Sequence, residues 1–209
     1  MIHILCADIL KADQHLYDRL YAEATPERKC RADAYLRQDD RLRCVAADAL
    51  LRAALGTDEY RIEKGASGKP YVKDREDFFY NISHSGRYVV MAWGDSEVGV
   101  DVQQEGNAKV EALARRYFAA DEQAYVRADP RRFYEVWTKK ESYVKYTGQG
   151  LGQDLSAFST LTPEGGIHYF HRILEGGYHL SLCTRDAEYR FELVDGAKLP
   201  NFWNIDRRI

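Results

Sequence analysis

Apolar residues recur with helical spacing in the first quarter of the chain. Residues 11–23 carry two leucines four positions apart, and residues 42–53 carry a longer apolar stripe that stops before Gly56. Such spacing places the apolar side chains on one face of a helix. Between these stretches, Thr25–Pro26 is typical of a helix start, because a hydroxyl can cap the helix and proline suits its first position. We therefore predict helices here, the last of them in the core.

Seven shorter runs have the composition of β-strands. They contain β-branched and aromatic residues, and turn-forming residues separate most of them. Because only short turns separate the second, third and fourth runs, we expect these three to be antiparallel neighbours. The runs cover residues 1–10, 79–83, 88–93, 97–103, 167–174, 178–184 and 188–194.

The second half of the chain is organised around a helical segment at residues 133–145. Asp129–Pro130 precedes it as a start signal, and Gly148 follows it as a stop signal. Residues 107–128 have the pattern of two further helical pieces. We expect residues 199–209, which include two aromatic residues, to pack back on the fold as a tail.

The central helix carries an unusual stripe. Trp137, Glu141 and Lys145 are spaced by four and therefore lie on one face. The helix alone leaves two interpretations open, since Glu141 and Lys145 are also spaced as a solvated ion pair worth about 0.3–0.5 kcal/mol. Asp101 favours a functional site, because it interrupts an apolar strand in which a carboxylate is costly to bury unless it pairs or binds a metal.

Composition excludes several classes of protein. The formal net charge of −3 argues against a general nucleic-acid-binding protein. The four cysteines form no C-x-x-C pair, which favours reduced thiols in a cytoplasmic protein over a zinc site or a disulfide scaffold. The first ten residues lack a long apolar run, so we expect no signal peptide, and no stretch approaches the roughly 20 apolar residues of a membrane span.

The order of elements repeats faintly in two halves. Each half runs from helices to a strand, a tight turn and a second strand, which begins at Tyr88 in the first half and at Tyr178 in the second. This repeat predicts an α+β fold of two pseudo-symmetric lobes, each with helices on a small, mainly antiparallel sheet. We expect lobes at residues 1–100 and 101–209 with a ligand cleft between them. We also expect a monomer, because one chain would complete the site.

Four short motifs follow one another between residues 65 and 150. They are Gly68-Lys69-Pro70, Asn81-Ile82-Ser83-His84-Ser85, Val98-Gly99-Val100-Asp101 and Trp137-Thr138-Lys139-Lys140-Glu141-Ser142-Tyr143-Val144-Lys145. Each motif alone is weak, but their order and approximate spacing resemble the Sfp-type 4′-phosphopantetheinyl transferases. A weaker match from Thr25 to Arg43 extends the resemblance towards the N-terminus.

The resemblance implies an enzyme of the holo-[acyl-carrier-protein] synthase type. Such an enzyme moves 4′-phosphopantetheine from coenzyme A to a serine of an acyl or peptidyl carrier protein, releases adenosine 3′,5′-bisphosphate and requires Mg²⁺, with Mn²⁺ as an alternative. By similarity, Asp101 and Glu141 hold the metal, and Glu141 or a metal-bound water takes the serine proton. Lys145 neutralises charge on the α-phosphate and the leaving group. Carboxylates and an ammonium group suit this chemistry.

The resemblance also assigns residues to the nucleotide end of coenzyme A. Arginine binds phosphate bidentately, and a phosphate neighbour would favour a protonated histidine. One position departs from the family pattern, since Gln103 stands where many members have a second carboxylate on the strand. We expect Gln103 to act on the metal through a water molecule and metal affinity to be lower. The residues assigned to coenzyme A are Arg28, Arg31, Arg43, Lys69, Ser83 and His84.

Two functions therefore remain open, an active transferase and a coenzyme A-binding module that has lost catalysis, with Gln103 as its mark. The presence of Asp101, Glu141 and Lys145 favours the transferase. The sequence does not distinguish carriers of fatty acid, polyketide or nonribosomal peptide biosynthesis. We expect the carrier to dock on the second lobe near Tyr117–Phe118, and we expect no membrane or nucleic-acid partner.

Overall fold

The computed structural model describes residues 1–107 and 109–199. Within them it forms strands and helices in an α+β arrangement of two lobes, together with short 3₁₀ turns at Pro130–Arg132, Gly150–Gly152 and Leu155–Ala157. In chain order the elements are β1 (Ile2–Asp8), α1 (Gln14–Glu23), α2 (Pro26–Asp33), α3 (Gln38–Leu55), β2 (Ile62–Lys64), β3 (Pro70–Val72), β4 (Phe79–Ser85), β5 (Tyr88–Gly94), β6 (Val98–Gln104), α4 (Val110–Tyr117), α5 (Ala120–Ala128), α6 (Phe133–Thr147), β7 (His168–Leu174), β8 (Tyr178–Thr184) and β9 (Tyr189–Asp195).

The first sheet has four strands in the order β4-β5-β1-β9. β1 pairs antiparallel with β5 and parallel with β9. One face of this sheet, which includes Leu5 and Met91, packs against the helices α1 to α3. The predicted helix signals are confirmed here, because Thr25 caps α2 and Gly56 ends α3 with a φ of 66°, which glycine adopts without strain.

The second sheet is antiparallel, with the strand order β6-β8-β7. The even-numbered positions of β6, such as Val100, face the first sheet and share a core with Ile4 and Leu182. The opposite face of β6 and β8 carries α6. The molecule is therefore layered as helices, first sheet, second sheet and α6, with β2 and β3 forming a separate hairpin.

The two sheets meet along β4 and β6 through side chains, and no backbone ladder joins these strands in the described ranges. Oxygen atoms of alternate β4 side chains accept hydrogen bonds from alternate backbone amides of β6, at 2.9–3.2 Å. This arrangement fixes the register between the lobes and brings Ser83 beside Asp101. The bonded pairs are Asn81 with Val100, Ser83 with Val102 and Ser85 with Gln104.

The central helix has the ends that its sequence predicts. Asp129 caps the 3₁₀ turn that leads into α6, and Gly148 ends the helix in the left-handed region with a φ of 71°. α4 and α5 are the two expected helical pieces before it. Within the expected C-terminal tail, Leu199 is buried in the first core, and the rest of that prediction lies outside the described residues.

One predicted pairing was wrong. β6 does not extend the β4–β5 hairpin as an antiparallel neighbour but pairs with β8. The physical reason is that both faces of β6 are covered, one by the first sheet and the other by α6. A strand that extended the first sheet could not also pack against the face of that sheet, so β6 belongs to the second sheet. β6 spans the expected boundary at residue 100, and the division into lobes 1–100 and 101–209 stays a prediction. In the described ranges, no helix is long and apolar enough to cross a membrane.

Candidate active site

α6 lies directly on β6 because β6 has a glycine where the two elements cross. A Cβ atom at Gly99 would overlap the backbone of Ser142 and Tyr146. Residues two apart on a strand face the same side, so Asp101 faces α6 from the position next to this contact. Gly99 therefore lets the helix approach the strand closely at the level of Asp101.

Asp101 is the centre of a polar network that joins β4, β6 and α6. Its Oδ1 accepts hydrogen bonds from Lys145 Nζ at 2.7 Å and from Ser83 Oγ at 2.8 Å. Lys145 Nζ also donates to Ser83 Oγ at 2.9 Å and to the carbonyl oxygen of Val100 at 3.2 Å. The side chain of Asp101 is 10 % exposed and that of Lys145 is 28 % exposed. The network therefore reaches the surface through the lysine.

Glu141 lies one helical turn before Lys145 but does not pair with it. Among the residues described, its half-buried carboxylate has no hydrogen bond and no ion pair. Burial raises the pKa of Glu141, and the negative charge of Asp101 raises it further, while Lys145 opposes both. The interpretation of Glu141 and Lys145 as a solvated ion pair is wrong, because Lys145 pairs with Asp101 instead.

The two carboxylates fit a hard divalent cation. Mg²⁺ takes one or two protein carboxylates and completes its shell with waters and phosphate oxygens. Glu141 has no competing donor in the described ranges, and a cation would relieve its repulsion from Asp101. No group of three His, Cys, Asp or Glu side chains in those ranges forms a closed metal cluster. Two carboxylates such as Asp101 and Glu141 would leave the other positions around such a cation to water and phosphate oxygens.

Gln103 follows Asp101 by two positions on β6 and so belongs to the same face of the strand. Its side-chain amide nitrogen donates to the carbonyl oxygen of Gln104 at 3.2 Å. A neutral amide is a weaker ligand than a carboxylate for a hard cation. The role of Gln103 at the metal stays a prediction.

A basic cavity of about 370 Å³ adjoins the acidic network. Four of the predicted coenzyme residues line it, namely Arg28, Arg31, Arg43 and His84. Arg43 is held in place by Asp40 Oδ1 at 2.6 Å and by a backbone carbonyl at 2.9 Å.

His84 connects the cavity with the acidic network. Desolvation lowers the pKa of His84, and the positive charges of Arg43 and Lys145 lower it further. The two sites are neighbours, because His84 lines the cavity and follows Ser83, which donates to Asp101. An anion bound beside the imidazole would raise this pKa again.

The two other predicted coenzyme residues do not line this cavity. Lys69 forms an ion pair with Glu97 and donates to the carbonyl oxygens of Val98 and Tyr146, both at 3.0 Å. These bonds tie the β2–β3 hairpin to β6 and α6. Ser83 lies in the Asp101 network instead. The contacts of Lys69 and Ser83 with coenzyme A stay predictions.

The expected carrier-docking role of Phe118 was wrong. Its side chain is fully buried and stacks on Phe133, with the ring centroids 5.2 Å apart. Trp137 also packs against Phe133, at 5.7 Å, and against Tyr117. These aromatic residues form the core between α4, α5 and α6, so apolar burial explains them.

The sequence patterns did not single out Asp48, which lies behind the basic cavity. Asp48 has no exposed surface, and its carboxylate contacts Arg28, Arg52 and Tyr60. A signal was present in the sequence, because a lone carboxylate inside an apolar helical stripe needs cationic or hydrogen-bonding partners. The same argument identified Asp101.

Comparisons with known proteins report on the family to which the whole chain is related. A family model described as "4'-phosphopantetheinyl transferase, N-terminal" matches residues 12–96, and one described as "4'-phosphopantetheinyl transferase superfamily" matches residues 97–194. A 4'-phosphopantetheinyl transferase of Bacillus subtilis is 30% identical over 196 residues, covering 88% of this chain and 87% of that protein. The transferase Sfp of Bacillus subtilis (strain 168) is 29% identical over 161 residues, covering 71% of each chain. The transferase psf-1 of Bacillus pumilus is 31% identical over 182 residues, covering 76% of this chain and 78% of that protein. The chain therefore belongs to the Sfp-type 4′-phosphopantetheinyl transferase family.

Proposed function

We propose that this protein transfers 4′-phosphopantetheine from coenzyme A to a serine of an acyl or peptidyl carrier protein. The observation that carries the proposal is the meeting of Asp101, Glu141 and Lys145 beside a cavity lined by three arginines. Two acids suit a divalent cation, and an arginine-lined cavity suits a phosphorylated nucleotide. Family membership supports the same reaction class.

The reaction exchanges one phosphorus–oxygen bond for another. The serine oxygen forms a bond to the β-phosphorus of coenzyme A and loses its proton. The bond from that phosphorus to the bridging oxygen breaks, and adenosine 3′,5′-bisphosphate leaves with the electron pair. We assign Glu141 the role of the base that takes this proton, since a carboxylate can accept a proton from a reacting hydroxyl group.

Lys145 supplies positive charge where negative charge develops on the leaving phosphate. Its ammonium group is already held by Asp101 and Ser83, so little reorganisation is needed during the reaction. We assign Ser83 the role of orienting Lys145 and Asp101. Arg28, Arg31 and Arg43, with His84, would bind the phosphorylated nucleotide end.

Asp101 and Glu141 would hold the Mg²⁺ ion, with Gln103 acting through water. When bound there, Mg²⁺ or Mn²⁺ supplies positive charge that polarises the pyrophosphate and stabilises the leaving group. We propose a monomer that serves acyl carriers, as a holo-[acyl-carrier-protein] synthase does, or peptidyl carriers. Its pathway is one of fatty acid, polyketide or nonribosomal peptide biosynthesis.

The direct test is modification of apo-carrier proteins. The protein is incubated with coenzyme A, Mg²⁺ and a panel of purified acyl and peptidyl carriers, and intact mass spectrometry detects a phosphopantetheine adduct on the carrier serine. We expect an adduct on at least one carrier and a rate about 100-fold lower with Glu141→Gln, which keeps the size of the side chain. Calorimetric binding of coenzyme A without an adduct on any carrier would instead support the catalytically impaired module that Gln103 suggests.

A further inference from the structure

The core of the first lobe contains a buried charge network that the reaction above does not use. Asp48 on α3 has no exposed surface, and Arg52, one turn later, is 3 % exposed. The α3 residues between them are all buried and apolar. Removing charges from water costs free energy that a buried ion pair does not always recover, so an apolar residue at position 48 would suit this helix better. The presence of Asp48 therefore needs another reason.

Asp48 connects the buried interior with the basic cavity. Its Oδ2 accepts a hydrogen bond from Arg52 Nε at 3.1 Å. Its Oδ1 accepts a hydrogen bond from the hydroxyl of Tyr60 at 2.6 Å and one from Arg28 Nε at 3.4 Å. Arg52 continues the network to Glu23, on the side away from Arg28. Asp48 is thus the point at which the network reaches a residue of the cavity.

Arg28 meets Asp48 with only one edge of its guanidinium group. Its Nε contacts the carboxylate, and its side chain also has a weak hydrogen bond with the thiol of Cys44. The guanidinium is planar and rigid, so a contact at Nε fixes the directions of the four terminal N–H bonds. Arg28 is 12 % exposed and lines the cavity, which is where the remaining donors are available.

Asp48 also offsets repulsion between cations. Arg31 and Arg43 line the same cavity as Arg28, and Arg52 lies behind it. Without the carboxylate, Arg28 would reduce its repulsion from these groups by turning towards solvent. A side chain that is already held in its binding position loses less conformational entropy when a ligand arrives. Asp48 then lowers the free energy of ligand binding, which gives a reason for a residue that is costly to bury during folding.

We infer that Asp48, supported by Tyr60, is a positioning residue that holds Arg28 for the 3′-phosphate at the nucleotide end of coenzyme A. This inference rests on the proposed function, because it names the part of that substrate which Arg28 binds. Asp48 does not touch the substrate and acts through the orientation of Arg28.

The test compares coenzyme A with 3′-dephospho-coenzyme A in the full-length protein. For Asp48→Asn we expect KM for coenzyme A to rise about 10-fold, because the negative charge that holds Arg28 is lost and its hydrogen bond is weakened, while kcat stays within about twofold. KM for 3′-dephospho-coenzyme A should not change, since it lacks the 3′-phosphate. The matched control is Glu23→Gln, which alters the same network away from Arg28 and should leave both KM values unchanged. An equal rise of KM for both substrates would overturn the inference.

A double-mutant cycle separates positioning from general destabilisation. Binding of adenosine 3′,5′-bisphosphate is measured by calorimetry for Asp48→Asn, Arg28→Gln and the double variant. We expect Asp48→Asn to weaken binding in the wild-type background and to add nothing after Arg28→Gln. An equal loss in both backgrounds would contradict the inference. If Asp48→Asn does not fold, Tyr60→Phe replaces it, with an expected loss of about threefold that also disappears in the Arg28→Gln background.

The calorimetric cycle keeps the inference separate from the proposed function. If the wild-type protein modifies no carrier, the transferase proposal fails, but the nucleotide still reports on Asp48 and Arg28. If carriers are modified and the cycle shows no coupling between Asp48 and Arg28, the positioning role of Asp48 is rejected and the transferase proposal stands.

Discussion

Helix α6 carries two lysine–carboxylate pairs with the same separation and opposite surroundings. Lys140 Nζ lies 2.7 Å from a carboxylate oxygen of Glu122, and Lys145 Nζ lies 2.7 Å from one of Asp101. Neither side chain of the Lys140 pair is exposed, whereas Lys145 is 28 % exposed. The distance between the charges therefore does not distinguish a structural pair from a functional one. The distinction comes from the other contacts that each pair makes.

The Lys140 pair is closed within the protein. Besides Glu122, Lys140 Nζ donates to the carbonyl oxygens of Leu155 and Phe158, both at 2.7 Å, which uses all three N–H groups. Glu122 also accepts hydrogen bonds from the amide and hydroxyl of Thr160, at 2.7 and 2.8 Å. The pair joins α5, α6 and the segment that follows α6, and it has no capacity left for a ligand.

The Lys145 pair differs on its carboxylate side, since Lys145 also has three protein acceptors, on Asp101, Ser83 and the backbone of Val100. Asp101 has a second acid beside it, and the carboxylate of Glu141 has no hydrogen bond in the parts of the chain described. The charge of Lys145 lowers the pKa of His84, and His84 lines the basic cavity. Unused acceptors and a partly exposed cation are what a metal and a phosphate group require. The comparison predicts that replacing Lys140 mainly lowers the stability of the protein, whereas replacing Lys145 mainly lowers its activity.

The largest expected effect is on stability, at Lys140. Lys140→Met leaves Glu122 as an uncompensated buried charge, so the free energy of unfolding should fall by about 3–5 kcal/mol in urea denaturation. The control is Lys139→Met, which removes a pair with Glu135 four residues earlier on the same helix and should cost less than about 1 kcal/mol. Equal losses for the two variants would remove the distinction between a closed pair and an ordinary one.

The next effect is on activity, at Lys145. Lys145→Ala removes a cation aimed at the leaving phosphate, so the rate of carrier modification should fall about 100- to 1,000-fold. Lys145 is partly exposed and Asp101 keeps its hydrogen bond from Ser83, so the melting temperature should fall by less than for Lys140→Met. Lys139→Ala serves as the matched control with a rate near that of the wild type. A large loss of stability with little loss of rate would place Lys145 in the same class as Lys140.

A moderate effect is expected from pH and metal concentration, through Glu141. Its pKa is raised in the protein, so the protonated form appears at a higher pH than for a solvated glutamate, and activity should fall as pH drops through that raised pKa. A cation competes with the proton for the same oxygens, so raising the Mg²⁺ concentration tenfold should move the acidic limb of the rate profile to lower pH by up to about one unit. Removal of metal with a chelator should abolish transfer. If the acidic limb stays at the same pH when the Mg²⁺ concentration is raised, Glu141 is not a ligand of the metal.

The sequence could predict those features that depend on local chemistry. The ends of α6 follow from Asp129 and Gly148, and the cap of α2 follows from Thr25, because each signal acts within a few residues. A carboxylate in an apolar strand was enough to single out Asp101. The order of the motifs was enough to indicate the family.

Other features depend on which distant surfaces pack together. Spacing on α6 offered Glu141 as the partner of Lys145, but the close approach at Gly99 brings Asp101 within 2.7 Å instead. The pairing of β6 with β8 could not be deduced from the short turn before β6, because it depends on burying both faces of that strand. Lys69 likewise has partners 28 to 77 residues away.

The smallest expected effect tests whether the proposed metal site at Asp101 and Glu141 is short of one ligand. Gln103→Glu adds a carboxylate on the face of β6 that carries Asp101, and charged oxygen ligands bind a hard cation more tightly than neutral ones. The half-saturating Mg²⁺ concentration for carrier modification should fall by about three- to tenfold, with little change in the maximal rate. Gln104→Glu is the matched control, because successive side chains on a strand face opposite sides and the added charge then points away from the site. If Gln103→Glu and Gln104→Glu give the same Mg²⁺ dependence as the wild type, position 103 lies outside the metal shell, and Asp101 and Glu141 are sufficient to hold the ion.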